Sequence, residues 1–311
     1  MEQGIEAVDF VRWTADPPGF ARDLGSSFER YGFAVVRNHV LPQPLIDRCL
    51  ADFRRFFAWP VQEKMRYHLP GSGGARGYTP FGVEAAKGAS EHDLKEFWHV
   101  GRELAPGHRY RRFMPDNLWI DGIEGSREAA LQLWEAFDAM GRELLSAIAI
   151  HLGLPPRWFD DKVGEGNSVL RVIHYPPLER GAAGIRAGAH EDINVITLLL
   201  GAEEAGLQVL DRDGTWLDIN PPAGSLVCNI GDMLQRLTNH RLPSTTHRVM
   251  NPPPERAGHA RYSLPFFLHF NPDFEIRSLP SCVAPGQPDR YPEPITADDY
   301  LQQRLREIRL L

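Results

Sequence analysis

Residues 187–200, AGAHEDINVITLLL, place a histidine and two acidic residues at the start of a β-branched apolar run. Alternate side chains of a strand share one face. An extended chain here therefore predicts that His190 and Asp192 face one way and Glu191 faces the other. An imidazole and a carboxylate at this spacing suit a single metal ion. Chance alone gives roughly 0.7 His-x-Asp triplets in a chain of this composition, so the triplet needs further support.

A third ligand is expected from another strand, because a facial metal site of this type needs a second histidine. The β-type run STTHRVMN offers His247. The competitor is His240, which follows Asn239 and precedes Pro243 in a segment typical of a turn. We therefore predict His247 as the third ligand, with an exposed or packed histidine as the alternative for either position.

A possible anion site follows in the stretch ARYSLPFF, where Arg261 and Ser263 share one face of a predicted strand. A guanidinium fork beside a hydroxyl suits a carboxylate, through charge-assisted and bidentate hydrogen bonds. An Arg-x-Ser triplet is common by itself. The order of the three motifs, His-x-Asp, then His, then Arg-x-Ser within one β-rich segment, carries more information than any one of them.

The elements that must position these residues differ between the two halves of the chain. Helical spacing of apolar residues predicts helices in the first half, and the short segment FAVVRNH predicts a buried strand. The helices are expected to end at Gly32, before Pro60 and at the sequence GLPP of residues 153–156. Residues 69–90 are rich in glycine and are predicted to form an irregular loop.

The second half consists of short β-type runs separated by Gly, Pro, Asn and Asp, which predicts a sandwich or barrel. Asp213-Gly214 is a hairpin turn signal, and Gly231-Asp232 is expected to form a turn before a helix-like segment. Thr296 and Asp299 occupy capping-box positions at the start of a terminal helix. The prediction is a helical first half, an all-β second half and a final helix.

Composition limits the possible partners. The chain has 311 residues, 42% of them hydrophobic, and a formal net charge of −7 without a basic run, so neither nucleic acid nor an anionic membrane is an expected partner. No apolar stretch approaches the roughly 20 residues of a membrane helix, and the amino terminus lacks the apolar segment of a signal peptide. The three cysteines are far apart, which indicates reduced thiols and a soluble cytoplasmic protein.

Residues 165–271 resemble the catalytic jelly-roll domain of the Fe(II)/2-oxoglutarate-dependent oxygenases, in the isopenicillin N synthase-like branch. The matching segments are HYPP, HEDINVITLLL, GLQVL, NIGDMLQRLTNHRLPSTTHRV and RYSLPFF. The first half is similar to that branch's amino-terminal region in YGFAVVRNH, FFAWPVQEK and GYTPFG. The resemblance covers nearly the whole chain. It implies a mainly β protein with helical additions, in which a double-stranded β-helix (jelly-roll, cupin-like) core follows an α/β amino-terminal region and precedes a carboxy-terminal helix.

The same resemblance implies domain limits of 1–160, 161–275 and 276–311, and a role for each motif. Fe(II) would be held by His190, Asp192 and His247. The distal carboxylate of 2-oxoglutarate would be bound by Arg261 and Ser263, with Tyr175 as a further contact. This chain departs from many plant members, which have an asparagine two residues before this tyrosine, where this chain has Ile173. With O₂, such an enzyme converts 2-oxoglutarate to succinate and CO₂ and oxidises a small organic substrate by hydroxylation, desaturation or ring closure.

Two alternatives stay open from the sequence. Isopenicillin N synthase and the aminocyclopropane-carboxylate oxidases share the fold and the Arg-x-Ser motif without consuming 2-oxoglutarate, so Arg261 could bind a substrate carboxylate instead. A non-enzymatic β-sandwich binding protein is the remote alternative. The primary substrate and the oligomeric state are not predicted. Tyr78, Phe81 and Trp98 lie in segments that border the substrate pocket of similar proteins. Trp134, Trp216 and Cys228 are expected in the core.

Overall fold

An eight-stranded sheet divides the molecule into a helical side and a side covered by a second sheet. The computed structural model describes residues 4–71, 74–84, 92–178, 183–201, 205–284, 286 and 288–307. The helices are α1 Arg12–Ala15, α2 Pro17–Tyr31, α3 Gln43–Phe57, α4 Val61–Lys64, α5 Ser126–His151, α6 Asp160–Val163, α7 Asp232–Leu237 and α8 Ala297–Glu307, with 3-10 turns at Met65–Tyr67 and Pro280–Cys282.

The strands are β1 Ala7–Asp9, β2 Phe33–Arg37, β3 Gly77–Thr79, β4 Glu96–Gly101, β5 Val169–Tyr175, β6 Ala187–His190, β7 Ile196–Leu200, β8 Leu207–Leu210, β9 Trp216–Asp218, β10 Leu226–Ile230, β11 His247–Val249, β12 Arg261–Leu268, β13 Glu275–Ile276 and β14 Ile295–Thr296. In the described residues, the large sheet has the order β1-β2-β10-β7-β12-β5-β4-β3 and the small sheet has the order β6-β11-β8-β9. β1 pairs with β2 in parallel, and the neighbouring pairs β2–β10 and β10–β7 are antiparallel.

The two faces of the large sheet differ because side chains alternate along each strand. Leu198, Cys228 and Phe266 belong to the core shared with the helices. Phe266 stacks on Phe137 of α5 with ring centroids 5.5 Å apart. On the other face, Val227 packs with residues of the small sheet in a separate apolar cluster. We call the space between the two sheets the lumen. Two sheets packed in this way form the jelly-roll core, and the fold expected from the resemblance is confirmed.

Several local predictions are confirmed. α2 ends at Gly32, whose φ of 69° lies in the left-handed region that glycine adopts without strain. α3 ends at Phe57, and α5 ends at His151, just before the glycine and prolines. β8 and β9 form the predicted hairpin. At the start of α8, the Asp299 amide donates to Oγ1 of Thr296 at 3.1 Å.

The prediction of one strand in a helical first half is incomplete, because β1, β3 and β4 also lie there. β4 was missed because it is buried on both faces, so the segment EFWHVG shows no alternation of polar and apolar residues. Strands from both halves of the chain thus share the large sheet, and the proposed domain boundary near residue 160 stays a prediction. Of the helices described, none is long and apolar enough to span a membrane.

Candidate metal centre and cosubstrate site

Three side chains from the ends of neighbouring strands and the segment after one of them converge in the lumen. His190 lies at the end of β6, His247 begins β11 directly opposite it, and Asp192 follows His190 by two residues. One ligand atom of each lies within 4.8 Å of the other two. The Nε2 atoms of both histidines are 3.9 Å from Oδ1 of Asp192. Two imidazoles and one carboxylate are the donor set of the non-haem iron oxygenases.

Hydrogen bonds to the chain itself fix the orientation of both imidazoles. Nδ1 of His190 lies 2.7 Å from the carbonyl of Gly188, and Nδ1 of His247 lies 3.1 Å from the carbonyl of Thr245. A carbonyl can only accept, so each Nδ1 carries the proton and each Nε2 keeps its lone pair for a metal. Burial, with the neighbouring His190, lowers the pKa of His247 to about 4. The ring is therefore neutral near pH 7, as a ligand must be.

Asp192 is held by neighbours on the lumen face of the large sheet. Its Oδ2 accepts hydrogen bonds from Oγ1 of Thr197 at 2.5 Å and Nδ2 of Asn229 at 2.8 Å. Burial by itself raises the pKa of Asp192, but the two histidines and these hydrogen bonds outweigh burial and lower it. The carboxylate is thus ionised, with Oδ1 on the side of the histidines. Sequence reasoning missed Thr197 and Asn229, although both lie at lumen-facing positions of predicted strands.

The local structure around Asp192 differs from the prediction. The sequence predicts one strand through residues 190–200, but β6 ends at His190 and β7 begins at Ile196. Residues 191–195 instead cross from the small sheet to the large one, and the amide of Asp232 donates to the carbonyl of Asp192 at 2.7 Å. Asp192 therefore lies outside the strand, and the alternation of side chains along a strand does not explain its position beside His190. Glu191 does lie apart from the metal cluster, where its Oε1 accepts from Thr246 at 2.8 Å.

His240, the competing ligand candidate, lies elsewhere, and so does the nearby acidic residue Asp232. His240 has a φ of 66° in a turn, stacks on Tyr291 and lies 2.5 Å from its hydroxyl through Nε2. Asp232 begins α7 and lies 3.1 Å from Nε of Arg304. Burial raises the pKa of Asp232 to about 6. Neither side chain belongs to the metal cluster found in the described residues.

Arg261 forms a second feature of the site. It begins β12, directly opposite Tyr175 of β5, and its Cζ lies 5.4 Å from the centre of that ring. Its side chain is buried, and Nη2 donates to the carbonyl of Gly201 at 3.3 Å. Within the described part of the chain, Nε and Nη1 are buried without a partner. A buried cation with unused donors is unfavourable without an anion, so this position suits a carboxylate.

Ser263 extends the same face, because it follows Arg261 by two residues and pairs with Ile173 across β5. Both Ser263 and Tyr175 are buried. The structure therefore brings all three residues of the expected cosubstrate site onto the lumen face of two neighbouring strands. The departure at Ile173 puts an apolar side chain into this face, where Ile173, Phe97 and Tyr175 form a small apolar cluster.

Tyr78 and Trp98, from segments expected to border the substrate pocket, do not face the lumen. Both side chains are buried on the helical side of the large sheet. The Tyr78 hydroxyl donates to Glu96 at 2.5 Å, and Trp98 packs edge-on against Phe56 with centroids 4.9 Å apart. The strand register places Phe97, and not Trp98, on the lumen face. Phe81 is half exposed.

The two tryptophans predicted in the core have different environments. Trp134 is buried and donates to the carbonyl of Ser168 at 3.1 Å. Trp216 is only partly buried, on the outer small sheet, with Cζ of Arg248 3.9 Å from its ring centre. Cys228 is fully buried, as expected, and burial raises the pKa of its thiol.

Two family profiles match the chain. Residues 5–122 match the profile described as non-haem dioxygenase in morphine synthesis N-terminal, and residues 166–270 match the 2OG-Fe(II) oxygenase superfamily. The second match contains the metal cluster, Arg261 and Ser263.

Similar proteins cover nearly the whole chain. The 2-oxoglutarate-Fe(II) type oxidoreductase hxnY of Emericella nidulans is 34% identical over 90% of this chain and 82% of its own length. A 2OG-Fe(II) oxygenase family protein from Caulobacter crescentus has a TM-score of 0.92 and 57% identity, over 98% of this chain and 99% of its own. A Neurospora crassa protein solved in complex with alpha-KG and thymine has a TM-score of 0.84 and 28% identity, over 98% of each chain.

The fold and the donor set define a non-haem iron oxygenase. The chain belongs to the 2OG-Fe(II) oxygenase superfamily. It is an oxidoreductase that uses Fe(II), 2-oxoglutarate and O₂ to oxidise a small organic substrate.

Proposed function

We propose that His190, Asp192 and His247 hold the iron and that Arg261, Ser263 and Tyr175 hold 2-oxoglutarate. Bound Fe(II) and 2-oxoglutarate supply the oxidising chemistry, in which O₂ is consumed, succinate and CO₂ are released and a substrate C–H bond is oxidised. The chain's own residues position these groups and exclude water. The two histidines present their Nε2 atoms, and Asp192 contributes a charge that Thr197 and Asn229 keep in place.

The observation that carries the cosubstrate assignment is the guanidinium of Arg261, whose Nε and Nη1 are buried without a partner among the residues described. A carboxylate of 2-oxoglutarate would accept a charge-assisted hydrogen bond from these unused donors and neutralise the guanidinium. The hydroxyl of Ser263 and the ring of Tyr175 lie on the same face and would complete the contact.

The test is anaerobic titration of the Fe(II) protein with 2-oxoglutarate, followed by its metal-to-ligand absorption band. Truncating one partner of a buried charge pair typically costs about 2–5 kcal/mol. We therefore expect Arg261→Ala to raise the Kd of 2-oxoglutarate by roughly 30- to 4,000-fold, with iron content unchanged. Ser263→Ala should cost less, about 0.5–1.5 kcal/mol.

The matched control is Arg127→Ala, because Arg127 forms an exposed ion pair with Glu103 at the start of α5. Its 2-oxoglutarate affinity should equal that of the wild type. If Arg261→Ala leaves the 2-oxoglutarate affinity unchanged and weakens only the primary substrate, Arg261 binds the substrate carboxylate instead. That result would contradict the cosubstrate assignment.

A further inference from the structure

A group of charged and polar side chains, which we call the lumen cluster, lies beside the metal centre and is not used by the iron or cosubstrate sites. Its members are Arg76, Glu84, Asp93, Lys95, His99 and Arg171. Nζ of Lys95 lies 2.7 Å from Glu84 and 2.9 Å from Asp93. Nη1 of Arg171 lies 3.3 Å from the same glutamate. His99 and Arg171 are neighbours across β4 and β5 and, like Phe97, face the lumen.

One residue, Gly188, connects the lumen cluster to the metal centre. The amide of Gly188 donates to Oδ1 of Asp93 at 2.9 Å, and the carbonyl of Gly188 accepts from Nδ1 of His190 at 2.7 Å. The lumen cluster therefore reaches a metal ligand at its Asp93 end. A substrate of the proposed oxygenase must bind close to the metal centre, and the lumen cluster suits that role.

Arg171 is held rigidly but has an unused donor. Its Cζ lies 4.0 Å from the ring centre of Phe97 and 5.1 Å from that of Phe267. Nε donates to Nε2 of His99 at 2.6 Å, and Nη1 faces Glu84. Across the described ranges, Nη2 has no hydrogen-bond partner, and it is not among the buried atoms. A fixed guanidinium with one accessible donor is preorganised for an acceptor.

His99 remains neutral between two arginines. Its Nδ1 donates to the carbonyl of Gly74, so Nε2 is the acceptor for Arg171. Burial, followed by the charge of Arg171, lowers the pKa of His99 well below its ordinary value. His99 therefore adds no positive charge to the cluster, but it fixes the guanidinium.

Arg76 adds a buried charge to the lumen cluster. Its guanidinium lies over Gly101, where a β-carbon would overlap it. Its Nη2 donates to Asn167 at 3.0 Å and its Nη1 to the carbonyl of Ala75 at 2.7 Å. In the part of the chain that the structure describes, Nε has no partner and no carboxylate forms an ion pair with Arg76. Burial lowers its pKa to about 10, which leaves it charged near pH 7.

The charges of the lumen cluster do not balance. Among the described residues, the cations Arg76, Lys95 and Arg171 are accompanied by the carboxylates of Glu84 and Asp93. His269, at the end of β12, is also neutral, because burial lowers its pKa to about 4. The three cations of the lumen cluster thus outnumber its two carboxylates, and the nearest further carboxylate acting on Arg76 is that of Asp116, outside the cluster. A buried cluster with an excess of positive charge favours an additional anion.

We propose that the primary substrate is a small monocarboxylic acid whose carboxylate binds Nη2 of Arg171 in the lumen. This inference rests on the proposed function, because the lumen cluster is a substrate site only if the neighbouring metal centre is catalytic. It also separates two anion sites, with 2-oxoglutarate at Arg261 and the substrate acid at Arg171.

The experiment uses the protein loaded under nitrogen with Fe(II) and saturating 2-oxoglutarate, so that Arg261 is already occupied. The probes are benzoate and its neutral isostere benzamide, titrated by calorimetry. Benzoate should bind at least tenfold more tightly than benzamide. Arg171→Met should weaken benzoate by about 10- to 150-fold, the loss expected for a hydrogen bond to a charged group, and should leave the Kd of 2-oxoglutarate unchanged.

Two further variants sharpen the test. Glu84→Gln removes a competing carboxylate and should tighten benzoate binding, while Lys95 keeps Asp93 as its partner. Arg171→Lys retains the charge without the guanidinium fork, and it should keep the preference for benzoate over benzamide at reduced affinity. If Arg171→Met proves unstable, the lysine variant tests the same contact.

The matched control is Arg127→Met. It removes an arginine that also has a ring contact and a glutamate partner, and it should leave benzoate binding unchanged.

The proposal would be overturned by equal binding of benzamide and benzoate, by no binding of benzoate at millimolar concentration, or by unchanged benzoate affinity in Arg171→Met. A dependence of benzoate binding on Arg261 rather than Arg171 would also overturn it. Failure of the wild-type protein to bind 2-oxoglutarate at all is a different result, because it would contradict the proposed function itself.

Discussion

Each histidine of the metal cluster is oriented by its own strand, since the proton acceptor for Nδ1 is a carbonyl two residues earlier in both cases. The carboxylate has no such local partner and depends on Thr197 and Asn229 from β7 and β10. The three ligands are therefore supported by both sheets. Loss of any one should leave the fold intact but remove the site.

Replacement of His190, Asp192 or His247 by alanine should reduce iron binding to background, because the three ligands act as a unit. Iron content after anaerobic reconstitution measures the effect, with circular dichroism as the check of folding. His240→Ala and Glu191→Gln are the controls, since neither side chain belongs to the cluster in the described residues. An iron-free His240→Ala protein beside an iron-loaded His247→Ala protein would reverse the ligand assignment.

Thr197→Val should weaken iron binding by about 10- to 100-fold, because a ligating carboxylate loses a hydrogen bond that fixes it. Valine preserves the shape of the threonine side chain. Competition with a chelator measures the iron affinity. Thr246→Val is the matched control, since that hydroxyl donates to Glu191, outside the metal cluster. Equal affinities in the two variants would show that the hydroxyl of Thr197 does not orient Asp192.

At the scale of elements, the crossing segment 191–195 is the part of the site that depends on close packing. Gly231, between β10 and α7, donates its amide to the carbonyl of Val195 at 2.9 Å. Its φ of −99° is open to any residue. A β-carbon at this position would overlap the carbonyl oxygen of Asn194. Glycine is therefore required at position 231 because there is no room for a side chain, and not because the backbone conformation is restricted to glycine.

We expect Gly231→Ala to lower the free energy of unfolding by about 1–3 kcal/mol, the usual cost of overpacking, and to weaken iron binding by displacing the crossing segment. Urea denaturation and chelator competition measure the two effects. Gly258→Ala is the control, because nothing lies within 4 Å of a β-carbon there. A Gly231→Ala protein as stable as the control would mean that the segment shifts without cost.

The sequence predicts the elements better than it predicts their connections. Helical periodicity locates α2, α3 and α5, and the turn signal of Asp213-Gly214 locates the hairpin of β8 and β9. After β6 ends at His190, the carbonyl of Asp192 accepts from the amide of Asp232, which lies forty residues beyond Asp192, and no local pattern encodes that contact. The lumen cluster cannot be predicted from the sequence either, because its residues come from separate segments and meet only across the sheet.

At the scale of the whole molecule, the lumen concentrates buried groups whose protonation differs between the folded and unfolded chain. His269 has a pKa of about 4 when folded, because burial penalises the imidazolium. In the unfolded chain its pKa is near 6.5. Between these values the unfolded state binds more protons, so stability rises with pH, and acidification below 6.5 lowers it.

Replacing His269 with glutamine should therefore flatten the acid side of the stability profile. For the metal-free protein, His269 should account for about 2 kcal/mol of the stability lost between pH 7 and pH 5. Denaturant titrations of both proteins at a series of pH values measure the difference. His247 remains in both proteins and contributes to both curves. Parallel pH profiles would contradict the low pKa of His269.

The alternation along β10 has a consequence for oxidative damage. Asn229 supports the iron ligand from the lumen, while the adjacent Cys228 lies on the other face among the helices, fully buried and with a raised pKa. The thickness of one sheet thus separates a thiol from the place where oxygen is reduced. A shift of one residue in the register of β10 would exchange the two side chains and place the thiol in the lumen. The hydrogen bonds that fix this register therefore also protect Cys228 from oxidation, although its neighbour Asn229 orients the metal ligand Asp192.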